Sequence, residues 1–242
     1  MKLLIFVLLT LSCLKANGQD FNKNIDKDSL LHVLVKNLPK KKKNELLKHY
    51  KKGNEQAKEY ILFMLSMPRS SKKEQIENLE KNKLEIFRLK DEYVKLIPDS
   101  LIACLEFNPK NVLVSTNKSV DLKIYKKLSE GKNESIFQEW NLEYDSDALN
   151  NGIKILGWNN DTLLFIKQLL DKANFVSIEN GNITTIGFAR SGMGKYFYKI
   201  FKTDLGEEQK LEYNDSCSYI FYKDNIVLEY GGGAIGPQCF PD

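Results

Sequence analysis

The sequence predicts an α+β fold: an N-terminal helical region followed by an antiparallel β-sheet domain with one or two packed helices. Two observations predict it, and the charge balance changes at the same boundary. Apolar residues recur at three- and four-residue spacing up to Pro98, and chiefly in alternation or in short β-branched runs beyond it. Turn signals at Asn180-Gly181, Ser191-Gly192 and Asp224-Asn225 punctuate the C-terminal part. The charge divides at the same place: residues 27–97 hold 18 Lys+Arg against 10 Asp+Glu, and residues 98–242 hold 15 against 20.

Residues 1–18 have the three parts of a cleavable secretory signal peptide. Lys2 supplies the positive start, Leu3 to Leu11 the apolar run, and Ala16-Asn17-Gly18 the small residues before a cut at Gln19. The run falls short of the roughly 20 residues that span a bilayer, and no later run is longer, so no transmembrane span is expected in the mature chain. Thr10-Leu11-Ser12-Cys13 partly resembles a lipoprotein cleavage box, with Thr10 where Leu is usual. A lipid anchor at Cys13 is therefore the alternative to a freely exported, periplasmic or extracellular protein.

The elements follow in order. Residues 19–26 are a polar lead-in. Asp28 or Ser29 caps a helix to Leu38, with Leu30, Leu31, Leu34 and Leu38 on one face. Pro39 opens a second helix, Lys40 to Lys51, which Gly53 stops. A third runs from Glu55 to Met67. Ser70 or Ser71 caps a long fourth to Ile97, whose seam of Leu79, Ile86, Leu89, Tyr93 and Leu96 is interrupted by polar Asn82. Pro98 ends this helical region, 19–97. In the α+β domain, 98–242, strands are expected at 101–107, 112–115, 120–125 and 136–144, with Phe137 and Trp140 as anchors of the last. Helices follow at 145–156 and 161–172. A C-terminal β-meander completes the domain, with strands at 175–178, 183–188, 196–201, 219–222 and 226–230 and a short helix near 207–213.

Three cysteines remain after cleavage. Cys217 and Cys239 bracket the final hairpin and tail and are expected to form a disulfide, worth about 3 kcal/mol if unstrained. Cys104 lies in an apolar run and reads as a small buried hydrophobe. The cysteine spacings match no zinc pattern.

Catalytic chemistry is hard to find in these residues. His32 and His49 are the only histidines, and both fall in the helical region. Arg190-Ser191-Gly192-Met193-Gly194-Lys195 lacks the first glycine of a phosphate loop, has Tyr196 where that loop needs Ser or Thr, and joins two strands. It reads as a glycine turn. Gly231-Gly232-Gly233-Ala234-Ile235-Gly236 precedes no helix, so it is not a dinucleotide loop but a folded-back tail. Asp145-Ser146-Asp147 fits a helix cap better than a calcium loop. Glu139 and Glu143, four apart on an expected strand, are the one carboxylate pair that a hydrolase could use.

What remains points to recognition. Arg190 and Lys195 sit on an exposed turn, and the neighbouring strands are crowded with aromatics. Arg190, Lys195, Tyr196 and Tyr198 are therefore the candidate binding residues. Arg69, Arg88 and Arg190 are the only arginines, and the mature charge of +2 is weak, so a nucleic-acid reader is not expected. No cofactor or metal is implied. The sequence leads to the expectation of an exported, non-catalytic module that binds another protein, such as an inhibitor or immunity-type protein of a cell envelope. The alternatives are a carboxylate-dependent secreted hydrolase and an envelope structural protein whose basic helices meet anionic lipid or polymer.

Overall fold

The computed structural model describes residues 21–114, 116–128, 132–232, 236 and 238–241. The expected signal peptide and Cys13 lie outside the described residues. The chain divides into two compact units, one running to Ser66 with the excursion Lys110–Asn117, the other comprising Met67–Pro109 and everything from Lys118. The boundary expected at Pro98 thus falls before the long helix, not after it. No helix of the described residues is long and apolar enough to cross a membrane.

Among the described residues the first unit holds three helices: α1 (Lys27–Leu34), α2 (Lys40–Lys52) and α3 (Glu55–Ser66). Asp26, just upstream of the expected cap, accepts from the Asp28 and Ser29 amides and starts α1. Gly53 ends α2 as its C-cap. Phe21, Leu31, Val35, Tyr50 and Leu62 form a small core with Leu113. Of the strand expected at 112–115, the described residues 112–114 form a turn instead. Asn111 and Thr116 make an isolated bridge around a turn, and Leu113 serves as a packing residue. Its backbone carbonyl accepts from the Asn22 amide at 2.6 Å.

The second unit opens on α4 (Lys72–Lys95), where Ser71 and Glu74 form a reciprocal capping box. Asn82 leaves helical geometry (φ −112°, ψ 20°) and kinks the helix at the polar break in its seam. Eight strands follow: β1 (Leu101–Asn108), β2 (Ser119–Lys127), β3 (Asn133–Leu142), β4 (Ser177–Glu179), β5 (Thr184–Ser191), β6 (Gly194–Ile200), β7 (Tyr219–Lys223) and β8 (Ile226–Gly231). Helices α5 (Asp147–Ile155) and α6 (Asn160–Ala173) separate β3 from β4, and α7 (Glu207–Glu212) separates β6 from β7. The strands make one antiparallel sheet in the order β3-β2-β1-β4-β5-β6-β8-β7. This is the expected α+β architecture, with one departure from a plain meander. The long 201–218 connection carries β7 to the sheet edge, and the tight turn at Asp224, which has φ +53°, folds β8 back beside β6. Burial explains the exchange: β8 is almost wholly buried, whereas β7 is half-exposed throughout and suits an edge.

One face of the sheet carries the core. Leu79, Ile86, Leu89 and Tyr93 of α4 pack there with Leu149 and Ile153 of α5, Leu163 and Ile166 of α6, and inward residues from β1, β2, β4, β5, β6 and β8. This shared core is why α4 belongs with the sheet: a helical seam needs an apolar surface, and here the sheet supplies it. Polar groups lock the same contact. Tyr93 Oη donates to the Ala103 carbonyl at 3.0 Å, Tyr198 Oη to the Gln75 carbonyl at 2.7 Å, and Trp158 Nε1 to the Leu96 carbonyl at 2.7 Å. Opposite the core face, Phe201, Leu205 and Val227 gather a smaller apolar cluster with Tyr213, Tyr219 and Phe221. The Cys217–Cys239 disulfide forms as expected, with S–S 2.06 Å. Just beyond it Phe240 packs on Tyr196 and Tyr230, with each pair of ring centroids 5.9 Å apart.

Candidate binding site

β4 is only three residues long, so the sheet is incomplete at one end between β1 and β5. Residues 174–176, between α6 and β4, occupy that end. Asn174 takes the left-handed conformation (φ 59°) that caps α6. A groove of about 610 Å³ opens beside it. Its apolar floor is Phe107, Phe175 and Phe188, and its rim carries Arg69, Lys81 and Arg190. All of these residues belong to the second unit.

The turn between β5 and β6 is strapped to the segment that leads into α4. The Gly192 amide donates to the Pro68 carbonyl at 2.9 Å, the Ser70 amide to Ser191 Oγ at 3.2 Å, and Ser191 Oγ to the Ser70 carbonyl at 3.2 Å. The backbone at Gly192 favours glycine. Its φ is +61°, and a Cβ there would lie 2.8 Å from Arg69 Nη1. The glycine that resembles part of a phosphate loop thus makes room for an arginine.

Arg190 and Lys195 do come together, across the β5–β6 pair. Both bind the carboxylate of Glu106 on β1, through Arg190 Nη2 to Oε1 and Lys195 Nζ to Oε2. Arg190 Nη2 also donates to Asn108 Oδ1 at 2.7 Å. Asn108 Nδ2 donates to Asp121 Oδ1 at 2.8 Å, and that oxygen also accepts from the Asn141 amide at 2.8 Å. The network therefore runs from β3 to β6 on the face opposite the core. Glu106 is 7% exposed, and Lys195 is nearly as enclosed, whereas the Arg190 side chain keeps 40% of its surface. Two cations share the Glu106 carboxylate, the Asp121 carboxylate lies at the far end of the same network, and Arg190 is its accessible cation.

The groove's other charged residues are two cations, Arg69 and Lys81, and two carboxylates, Glu74 and Glu77. Among the described residues, Arg69 and Lys81 form no ion pair. Glu74 is used by the capping box and by Ser70 Oγ, and Glu77 faces Lys73 at 3.7 Å. The groove's lining thus combines cationic side chains with three phenylalanines, a mixed surface suited to a carboxylate attached to an apolar body.

Tyr196 and Tyr198 are not part of any outer surface. Both are 0% exposed and face the core, while Lys195, Phe197 and Lys199 alternate to the other side. The aromatic face expected from alternation exists, but it is the buried one. Tyr198 can be buried because its hydroxyl finds the Gln75 carbonyl, and burial pushes its phenol pKa up, so it stays neutral. Trp140 is an aromatic of the sheet that does reach the surface. It is 50% exposed, with Lys123 Nζ 5.5 Å from its ring centroid, whereas Phe137 packs against the core as expected.

Glu139 and Glu143 do not form a pair on one strand face. β3 ends at Leu142, and Asn141 between them takes φ +55°, which breaks the alternation that the pairing needs. His32 and His49 lie on exposed positions of α1 and α2, in the other unit. Cys104 is half-buried, and burial raises its thiol pKa, which suits a packing role rather than a reactive one. Ser146 caps α5, as its acidic neighbours suggest. Among the described residues, no group of three or more His, Cys, Asp or Glu side chains is arranged to hold a metal ion.

Sequence reasoning found Arg190 and Lys195 and missed the carboxylate that organises them. The signal was present: Glu106 is the lone charge in the apolar run Leu101–Phe107, and a buried charge needs partners. Arg69 and the phenylalanine floor come from four separate segments and carry no local signal. No protein-family model, no curated protein and no solved structure matches this chain.

Proposed function

We propose that the protein is an exported, non-catalytic binding module of the inhibitor or immunity type, which docks an acidic group of a partner protein in the groove beside α4. One observation carries this reading: two of the chain's three arginines, Arg69 and Arg190, line the same groove. Arginine is the side chain best matched to a carboxylate, and a rigid guanidinium over an aromatic floor is a common anchor at protein interfaces. The fixed turn and the buried Glu106 hold Arg190 ready, which lowers the ordering cost of binding. The absence of any histidine from the second unit and the separation of Glu139 from Glu143 favour binding over hydrolysis.

The test uses the chain from Gln19 as bait in an extract of the native organism, with the recovered partner then titrated against variants. Arg69→Glu is the decisive variant, because Arg69 is exposed and holds no ion pair. It should weaken the partner at least about tenfold while leaving the thermal melt unchanged, since desolvated charge pairs at interfaces are worth several kcal/mol. Arg190→Glu should weaken it further. A partner bound equally well by both variants would show that the groove is not the contact surface.

A further inference from the structure

A second charged surface lies in the first unit. α2 carries Lys40, Lys41, Lys42, Lys43, Lys48, Lys51 and Lys52 against a single acid, Glu45. Tyr50 is buried, Leu46, Leu47 and Lys43 are half-buried, and the other six lysines are exposed. None of the seven forms an ion pair among the described residues. The contrast within the unit is direct: Lys27 reaches Glu55 at 2.9 Å and Glu59 at 2.7 Å, and Lys58 reaches Glu55 at 2.8 Å. Glu55 and Glu59 are paired with Lys27 and Lys58, and α2 is left with a broad cationic face about 20 Å long.

We infer that this face is a docking surface for an anionic lipid bilayer. Its chemistry selects that occupant. The exposed positions of α2 are lysines, Asn44, Glu45 and His49, with no apolar residue to insert, so attachment is adsorption onto headgroups. The face has no arginine fork to read bases and no exposed Phe, Tyr or Trp ring to stack on them, which sets it apart from a nucleic-acid surface. Compact ammonium groups on flexible stems neutralise diffuse charge on a planar array, and clusters of four to eight such groups suffice near a membrane. The surface is separate from the arginine groove and does not depend on it.

The experiment is co-sedimentation of the chain from Gln19 with vesicles of phosphatidylcholine alone and of phosphatidylcholine with phosphatidylglycerol, at low and high salt. The chain should pellet with the anionic vesicles only and be released as salt rises. Each lysine near the surface contributes roughly fivefold to partitioning, so the triple variant Lys41→Glu, Lys48→Glu, Lys52→Glu, which also adds three repelled carboxylates, should lose binding by at least about a hundredfold. The matching triple change to Arg should keep it, with the helical circular-dichroism signal of both variants unchanged, and Arg69→Glu should pellet like the parent. Failure to bind anionic vesicles at low salt, or equal binding by the Glu triple, would overturn the inference. Retention by polyphosphate without any vesicle binding would overturn it in favour of a soluble polyanion.

Discussion

At the scale of single residues, Glu106 decides the character of the second unit's outer face. A carboxylate at 7% exposure in a strand of apolar neighbours carries a desolvation cost that only close counter-charges offset. Arg190 and Lys195 provide them, and in doing so fix the geometry of the groove's rim. Glu106→Gln keeps the shape and removes the charge, stranding an ammonium that is itself nearly buried. The expected cost is about 3 kcal/mol, read from the urea midpoint. Adding Lys195→Met to that variant should restore part of the loss, because it removes the stranded charge. A loss below about 1 kcal/mol for the single change would mean that the network is solvated and does not order the turn.

At the scale of elements, starts and stops were largely legible because they are local chemistry. Ser71 with Glu74, Gly53 after α2 and the turn at Asp224 are set by a few adjacent residues, and each appears within a residue or two of its expected place. Packing was not legible. The alternation of β6 separates two faces but does not say which is inward, and the tyrosine face proves to be the core because α4 offers a carbonyl to Tyr198. The run expected at 112–115 has strand composition, yet its described residues 112–114 pair with no strand and form a turn that seats Leu113 on helices. The link between α1 and α3 is also beyond local reading, and it gives a pH dependence. Lys58, then Lys27, hold the Glu55 carboxyl down at about 2. Its folded pKa lies below the unfolded value of about 4.3, so its contribution is complete above that pH and is lost as pH falls toward 2. Thermal melts of the helical signal should show the first unit weakening over that window, less steeply in Glu55→Gln, and less in high salt because Glu55 is exposed. An unchanged acid profile in Glu55→Gln would assign the acid sensitivity to other carboxylates.

At the scale of the whole molecule, the apolar residues sort into separate cores, and this predicts how the chain unfolds. The cluster around Leu62 contains only residues of the first unit, and the cluster around Leu105 and Tyr198 only residues of the second. The small cluster buries few large side chains, and short units of this kind are marginally stable without a large core. Leu62 is 0% exposed at its centre. Leu62→Ala removes three buried carbons and should cost the first unit about 3 kcal/mol, an amount comparable to the stability such a unit is expected to hold. Hydrogen exchange read by mass spectrometry in mild urea should then show amides of 27–66 exchanging freely while those of β1, β5, β6 and β8 keep their protection. If the strands lose protection together with the helices, the two cores fold as one cooperative body, and the basic helix α2 is then as firmly held as the sheet. If only the helices open, the lysine face can detach or reorder without disturbing the arginine groove, and the two surfaces can act separately.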